Sequence, residues 1–513
     1  VRVQVALSMV NRHGLIAGAT GTGKTKTLQI MAGQLSAAGV PVFIADIKGD
    51  LTGLALPGDA TNARILARAK DLGWDYKPDG HPIELLSLSG KLGAQVRATV
   101  HSFGPLLLGK VLDLNDTQTS VLSLVFKYCD DHDLPLLDLD DLRTTLKFLG
   151  SDEGKVVLED YGGIGPATLG VILRSIVGLE QQGADIFFGE PEFEVEDLMR
   201  TTPGGQGIIS VLELSDVMDK PVLFSTFMLW MLAQLYESLP EAGDLPKPKL
   251  AFFFDEAHLL FDDASDALLD QVERTVRLIR SKGVGAYFVT QVPTDVPSSV
   301  LAQLGNRVQH ALRVFTPEDA DNLKKTVRTF PMTDHFDVGQ VIMSLGTGEA
   351  LVTVLSPRGV PTSLAPTRLV PPDSLMAAIP PDEMERRISA GSLYATYATP
   401  IDRESAHEIL SARLAAAKAA MAGATGAPGV RAPTPAQERR AIEARARDLE
   451  RIRRDAERQA KAAERERDRQ AAADRREAER AARQRDKMIE EVGTGLVRGV
   501  FGTLFGRSGR RRR

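Results

Sequence analysis

A glycine-rich segment near the start of the chain constrains the fold more than any other feature. Residues Gly18-Ala19-Thr20-Gly21-Thr22-Gly23-Lys24-Thr25 fit the pattern G-x-x-x-x-G-K-[ST] at every defined position. The apolar run Leu15-Ile16-Ala17 precedes this segment, and a helical pattern from Lys26 to Ala37 follows it. This order of strand, glycine loop and helix is typical of a P-loop, which binds the phosphates of a nucleotide.

The residue types in the P-loop explain its chemistry. The glycines let backbone N–H groups converge on the phosphates, and the positive end of the following helix points at them. Lys24 is expected to reach the β- and γ-phosphates, and the Thr25 hydroxyl is expected to coordinate Mg²⁺. ATP and Mg²⁺ are therefore the predicted ligands. The predicted nucleotide contacts are Gly18, Ala19, Thr20, Gly21, Thr22, Gly23, Lys24, Thr25 and Lys26.

A second motif follows the apolar run Leu250 to Phe254, where Asp255-Glu256-Ala257-His258 begins. A carboxylate at the end of a buried strand is not explained by packing, because burying an unpaired charge is costly. We predict that Asp255 holds the Mg²⁺ shell and that Glu256 polarises the attacking water. His258 fits a structural role better than a chemical one.

Two further candidates follow other predicted strands. Gln291 ends the strand that closes at Thr290, and it is predicted to sense the γ-phosphate; a plain polar turn is the alternative. Asp46 and Lys48 follow the second strand and are expected at the same edge of the sheet, although a purely structural role remains open for them.

Three arginines, Arg274, Arg277 and Arg280, lie on the helix predicted to follow the Asp255 strand. One of them could reach the nucleotide of a neighbouring subunit as an arginine finger. A solvated basic helix face explains at least one of the three equally well.

Strand-like runs alternate with helical patterns through about residue 375, which predicts an α/β fold with a mostly parallel, doubly wound sheet. The predicted strands are Gly14 to Ala17, Val40 to Ala45, Gly207 to Leu212, Lys249 to Phe254, Gly285 to Thr290, Val308 to Val314 and Ala350 to Val354. The predicted regions are an ATPase core over 1–92 and 204–375, a mostly helical insertion over 93–203, a linker with short helices over 376–435, a long charged helix over 436–491, and a glycine- and arginine-rich tail over 492–513.

Charge is distributed unevenly along the chain. From Gln437 onward there are 24 Lys and Arg against 15 Asp and Glu, whereas the preceding part has 38 against 53. An acidic body would repel an anionic polymer, so such a polymer would have to be held by local loops or by the basic tail.

Other features limit the possible classes. A single cysteine, Cys129, excludes an internal disulfide framework, and we assign it no catalytic role. No apolar run approaches the ~20 residues that cross a bilayer, and no signal-peptide pattern is present, so a cytoplasmic protein without a membrane span is expected. Signatures of zinc fingers, OB folds and helix-turn-helix motifs are missing from the sequence.

Several short sequence segments besides the P-loop are distinctive. They are Asn11-Arg12-His13-Gly14, Asp46-Ile47-Lys48-Gly49-Asp50, Leu114-Asn115-Asp116-Thr117-Gln118, Phe187-Phe188-Gly189-Glu190-Pro191, Phe253-Phe254-Asp255-Glu256-Ala257-His258, Arg280-Ser281-Lys282-Gly283-Val284-Gly285, Thr290-Gln291 and Gly305-Asn306-Arg307-Val308-Gln309-His310. Because these segments occur in the same order as in the HerA/FtsK superfamily of ring-shaped ATPases, the chain resembles that superfamily, and within it a bacterial HerA-like group. The resemblance spans roughly Asn11 to Val354.

The resemblance implies a RecA-like core interrupted by helices, a homo-oligomer (a hexamer) with ATP at the subunit interfaces, and a central channel for DNA. It also implies that the arginine finger lies near Arg280, which completes a predicted catalytic set with Lys24, Glu256 and Gln291. Three functions remain open at this point: a DNA translocase or helicase, a motor that moves a protein, and a nucleotide-gated switch that moves nothing.

Overall fold

The strands of the described chain join one mixed sheet. The computed structural model describes residues 2–161, 163–261 and 266–424. Within these ranges the strands are β1 (Gly14–Ala17), β2 (Val42–Asp46), β3 (Ile83–Ser87), β4 (Ala94–Gln95), β5 (Ile209–Glu213), β6 (Leu250–Phe254), β7 (Val284–Thr290), β8 (Asn306–Gln309), β9 (Glu349–Thr353) and β10 (Ala365–Arg368). They lie in the order β10-β9-β8-β1-β7-β6-β2-β5-β3-β4. Only the β8/β9 and β9/β10 pairs are antiparallel, so the predicted mostly parallel α/β sheet is confirmed.

Helices cover both faces of this sheet, as a doubly wound fold requires. Successive side chains of β6 point in opposite directions: Phe252 and Phe254 enter one apolar cluster, whereas Ala251 and Phe253 enter another. The first cluster includes side chains of the insertion, and the second includes Leu28 of the helix after the P-loop. All five residues of β6 are buried, which explains why its sequence is an unbroken apolar run.

Helices connect most pairs of strands that are consecutive in the chain. In the described residues they are α1 (Lys24–Ala37), α2 (Ala63–Leu72), α3 (Val100–Val111), α4 (Asp116–Asp131), α5 (Leu139–Leu149), α6 (Asp152–Val157), α7 (Pro166–Gln181), α8 (Pro221–Ser238), α9 (His258–Phe261), α10 (Asp266–Ile279), α11 (Ser298–Leu301), α12 (Pro317–Val327), α13 (Val338–Ser344), α14 (Pro381–Ala390), α15 (Ser392–Tyr397) and α16 (Ala406–Ala424). A 3₁₀ turn, Arg280–Lys282, separates α10 from β7.

One predicted strand was too long. We expected a strand from Val308 to Val314, but β8 ends at Gln309. Beyond that point the backbone bonds to the P-loop and its strand instead of a neighbouring strand: the N–H of His310 donates to the Ala17 carbonyl at 2.7 Å, and the Ala311 carbonyl accepts from the N–H of Ala19 at 2.9 Å. The strands β3, β4 and β10 were not predicted.

The segment 93–203 contains α3 to α7 and the short strand β4, so it is mostly helical but also extends the sheet. In 376–435 the structure shows α14, α15 and α16, and α16 runs into the stretch that we expected to be a flexible linker from Met421 to Pro435. The predicted charged helix over 436–491 and the tail over 492–513 lie outside the described residues. Among the residues described, no helix has the length and apolar character needed to span a bilayer.

Candidate functional site

The P-loop joins the end of β1 to the start of α1, at the edge of the sheet where parallel strands end. Gly18, Gly21 and Gly23 have φ values of 156°, 76° and 112°. A side chain at Gly18 would also collide with His310, since an added Cβ would lie 2.4 Å from the Cβ of that histidine. The sequence pattern therefore reflects both backbone conformation and close packing.

Lys24, the first residue of α1, is 7% exposed. Its Nζ donates to the carbonyl oxygens of Gly18 at 2.6 Å and of Ala19 at 3.4 Å. The amino group therefore contacts the backbone at the start of its own P-loop. Burial lowers the pKa of Lys24, while the nearby negative charge of Glu256 opposes that change. The lysine thus faces the phosphate cradle and lies near the carboxylates that follow β6.

The two residues after Lys24 occupy the first turn of α1. Thr25 is half-buried. The Nζ of Lys26 donates to the Met376 carbonyl at 2.9 Å and to Oε1 of Gln29 at 3.1 Å. Its side chain is therefore held against the segment that follows β10, on the outer side of the P-loop.

Two further hydrogen-bond contacts hold the P-loop and the start of α1 in place. His310 is buried, and its Nε2 lies 2.8 Å from Oγ1 of Thr27. Burial lowers the pKa of His310 to about 4, so the imidazole is neutral near pH 7. On the other side, the N–H of Gly348 donates to the Thr22 carbonyl at 3.0 Å. His310 ends the segment Gly305-Asn306-Arg307-Val308-Gln309-His310 of the family resemblance, but we had given it no role.

The carboxylates after β6 lie where we predicted them. Asp255 is 2% exposed and Glu256 is 6% exposed, and Glu256 has the unusual φ of 47°. Oε1 of Glu256 accepts a hydrogen bond from Nζ of Lys48, and its Oε2 lies 3.4 Å from Nδ1 of His258. The structure therefore brings together the end of β6 and the loop after β2, which are 208 residues apart.

Asp255 belongs to a group of three aspartates, of which Asp46 and Asp255 are buried and Asp50 is partly buried. One carboxylate oxygen from each of Asp46, Asp50 and Asp255 lies within 4.8 Å of the others. Burial, with the charges of Glu256 and Asp46, raises the pKa of Asp255 to about 7, and burial raises that of Asp46 to about 6. Oδ2 of Asp255 is buried without a hydrogen-bond partner among the described residues. An oxygen ligand in this state suits Mg²⁺, as does the hydroxyl of Thr25.

Sequence reasoning missed Glu213, the last residue of β5. It lies beside Asp46 in the sheet and is 1% exposed. Burial, with the charge of Asp46, raises the pKa of Glu213 to about 9. The sequence does contain the feature that identifies Glu213, because this carboxylate lies at the end of a buried strand, as Asp46 and Asp255 do.

Gln291 follows β7, which lies between β1 and β6. Its carbonyl accepts from the N–H of Gly18 at 3.1 Å, while its side chain is exposed. The next turn is fixed by Asp295, whose Oδ2 accepts from Oγ1 of Thr290 at 2.5 Å. Gln291 therefore follows the strand that lies between the strand of the P-loop and the strand of the β6 carboxylates. Sequence reasoning missed Asp295.

Arg280 lies at the other edge of the sheet. It is exposed, in the turn just before β7. The seven residues of β7 span roughly 20 Å at about 3.3 Å each, so Arg280 and the P-loop of the same chain lie on opposite edges. Arg277 instead pairs with Glu273 at 2.6 Å. Arg280 is therefore too far from the P-loop of its own chain to contact phosphates bound there.

Comparisons with known proteins agree with this architecture. A family model described as "Helicase HerA-like C-terminal" matches residues 1–512. The DNA double-strand break repair helicase HerA of Sulfolobus acidocaldarius is 22% identical over 355 residues, which cover 69% of this chain and 64% of that protein. The match thus spans less than two thirds of the relative's length.

Two solved structures are similar at low identity. An unbound form of the bacterial conjugative coupling protein TrwB is 15% identical with a TM-score of 0.47, over 74% of this chain and 91% of that one. VirB4 of Thermoanaerobacter pseudethanolicus is 14% identical with a TM-score of 0.40, over 72% and 91%.

Proposed function

The chain belongs to the HerA-like C-terminal helicase family, and on that premise we propose that it is an ATP-hydrolysing motor that assembles as a ring and moves DNA. The observation that carries this proposal is the placement of Lys24 and Glu256 at one edge of the sheet. Glu256 is close enough for its charge to act on the pKa of Lys24. A phosphate-binding lysine and a carboxylate that can polarise water are the two groups that hydrolysis of a phosphoanhydride needs.

In this proposal the backbone N–H groups of the P-loop and Nζ of Lys24 bind the phosphates. Lys24 leaves the carbonyl of Gly18 for the nucleotide, which supplies a stronger, charged acceptor. Thr25 and Asp255 would hold Mg²⁺, which when bound neutralises charge on the β- and γ-phosphates. The unpartnered Oδ2 of Asp255 is consistent with that role.

Glu256 orients the attacking water and accepts its proton. Gln291 lies between this carboxylate and the P-loop, where its exposed amide can contact the γ-phosphate. Arg280 completes the site from a neighbouring subunit, since it lies at the opposite edge of its own sheet. The ring is therefore part of the proposal, because without a second chain the site has no arginine finger.

DNA is the proposed substrate for two reasons. The matched relative is a DNA double-strand break repair helicase. In addition, the chain carries 24 Lys and Arg against 15 Asp and Glu from Gln437 onward, which would attract a polyanion to an otherwise acidic protein.

The test is the steady-state ATPase rate with Mg²⁺, measured alone, with double-stranded DNA and with single-stranded DNA. We expect ATP hydrolysis that double-stranded DNA accelerates. We expect Glu256→Gln to abolish hydrolysis under all three conditions. A rate that no DNA changes would favour a protein motor or a nucleotide-gated switch. A chain without any Glu256-dependent hydrolysis would contradict the motor altogether.

A further inference from the structure

Lys48 is held in a defined position by the residue that ends β2. Oδ1 of Asp46 accepts from the N–H groups of Lys48 at 3.1 Å and of Gly49 at 2.8 Å. Its Oδ2 accepts from the N–H of Leu51 at 2.8 Å. The buried carboxylate of Asp46 therefore accepts three hydrogen bonds that fix the backbone of the loop from which the Lys48 side chain extends.

That partner is Glu256. Nζ of Lys48 donates to its Oε1, with the Lys48 side chain 46% exposed and the Glu256 side chain only 7% exposed. A carboxylate this deeply buried is costly to leave without a polar partner. Burial lowers the pKa of Lys48, but the hydrogen bond and the charge of Glu256 outweigh it and raise the pKa above its usual value. Lys48 is thus a permanent cation at this site.

The pairing is selective among the cations nearby. Nζ of Lys24 is bonded to carbonyls of the P-loop, and Nζ of Lys26 is bonded to Gln29 and Met376. His258 lies 3.4 Å from Oε2 of Glu256, but its ring nitrogen makes no hydrogen bond there. In the described residues, Lys48 is therefore the one cation that holds Glu256 by a hydrogen bond.

We propose that Lys48 is a positioning residue for Glu256: its hydrogen bond fixes one oxygen of the buried carboxylate, so that the other oxygen is free for the attacking water. This inference rests on the proposed ATP hydrolysis. It assigns to the Asp46-Ile47-Lys48 loop a function that acts through Glu256 and not through the nucleotide.

The first test is Lys48→Met in the full-length protein. We expect kcat to fall about 10- to 100-fold, a part of the factor that general-base catalysis supplies, while KM changes less than about threefold. Lys48→Arg should restore part of the rate because it keeps the charge. Lys147→Met, at an exposed position on α5, is the charge-matched control and should hydrolyse ATP normally.

Rescue by a second cation separates positioning from a structural role. Lys48→Gln keeps a polar side chain but has no charged donor, so its kcat should fall as it does in Lys48→Met, whereas Lys48→Arg should regain part of the rate with KM unchanged. Lys48→Gln also serves if Lys48→Met folds poorly. A normal kcat in both charge-removing variants would overturn the proposal.

Binding in the Glu256→Gln background separates positioning from direct phosphate contact. If Lys48 acts through Glu256, adding Lys48→Met to Glu256→Gln should leave the affinity for a non-hydrolysable ATP analogue unchanged. A further loss of affinity would assign Lys48 to the nucleotide and overturn the proposal, as would a Lys48→Met variant that hydrolyses ATP at or above the normal rate. If the unchanged protein has no ATPase activity, it is the proposed function that fails first.

Discussion

The amino group of Lys24 donates a 2.6 Å hydrogen bond to the carbonyl oxygen of Gly18, the first residue of the P-loop. The lysine is 7% exposed, so without nucleotide it depends on this carbonyl for a hydrogen-bond partner. In the proposed function a bound phosphate replaces this carbonyl as the acceptor, because it carries a charge.

Lys24→Ala should therefore weaken nucleotide binding. A hydrogen bond to a charged group contributes about 1.5 to 3 kcal/mol, which corresponds to a roughly 10- to 100-fold higher Kd for ATP. Turnover should fall with it. Titration with a fluorescent ATP analogue measures the Kd, and Lys147→Ala is the control. Equal affinities for Lys24→Ala and the unchanged protein would remove Lys24 from the site.

Glu256→Gln should separate binding from hydrolysis. The amide keeps the shape of the side chain but cannot take a proton from water, so kcat should fall by about 10² to 10⁴ while the Kd for ATP stays within a few fold. Single-turnover hydrolysis and analogue binding measure the two quantities separately. Normal turnover by this variant would show that another group polarises the water.

The sequence predicted the parts of this site that are local in the chain. The P-loop, Asp255 and Glu256 each follow a buried strand directly, so apolar runs and glycine spacing were sufficient to find them. The contacts of Lys48 with Glu256 and of Thr27 with His310 join residues 208 and 283 positions apart. Such pairs depend on the order of strands in the sheet, which a single sequence does not specify.

Weak strands were missed for a related reason. Ile83–Ser87 contains the acidic Glu84 within a short apolar run, and Ala365–Arg368 has alternating exposure at the edge of the sheet. Neither segment has the unbroken apolar pattern of β6. Conversely, Val308 to Val314 has that pattern in part, but its second half bonds to the P-loop and β1.

Glu213 should make the stability of the nucleotide-free protein depend on pH. Burial, with the charges of Asp46, Asp216 and Asp50, raises its pKa from 4.5 to about 9. Between these values the folded protein keeps a proton that the unfolded chain releases. The contribution of Glu213 to stability is therefore complete below pH 4.5 and is lost as the pH rises towards 9.

Glu213→Gln removes this dependence. Relative to the unchanged protein, the variant should gain on the order of 4 kcal/mol in free energy of unfolding between pH 5 and pH 8. Denaturant unfolding at the two pH values, without nucleotide, measures the gain. Glu237→Gln, at an exposed position near the end of α8, is the control. Parallel pH curves for Glu213→Gln and the unchanged protein would argue against the raised pKa.

Deleting residues 437–513 should weaken DNA binding. The deletion removes 24 Lys and Arg against 15 Asp and Glu, so both the affinity for DNA and the dependence of log K on log salt should decrease. Replacing Arg510 to Arg513 by Gln removes four charges and should give an intermediate slope. Unchanged affinity and slope in both variants would show that the core alone holds the DNA.

Assembly is the central claim, because Arg280 lies on the edge of its sheet opposite to the P-loop and can serve only a neighbouring subunit. Arg280→Ala should bind ATP normally and lose about 10³- to 10⁵-fold in hydrolysis, as removal of an arginine finger does in related enzymes. The most direct measurement mixes Arg280→Ala with Glu256→Gln and follows the ATPase rate against the mixing ratio. We predict that each variant alone is inactive and that the mixture regains part of the activity, because some interfaces then combine an intact Glu256 with an intact Arg280. Two inactive variants that never complement each other, or a chain that stays monomeric with ATP and Mg²⁺, would contradict the ring.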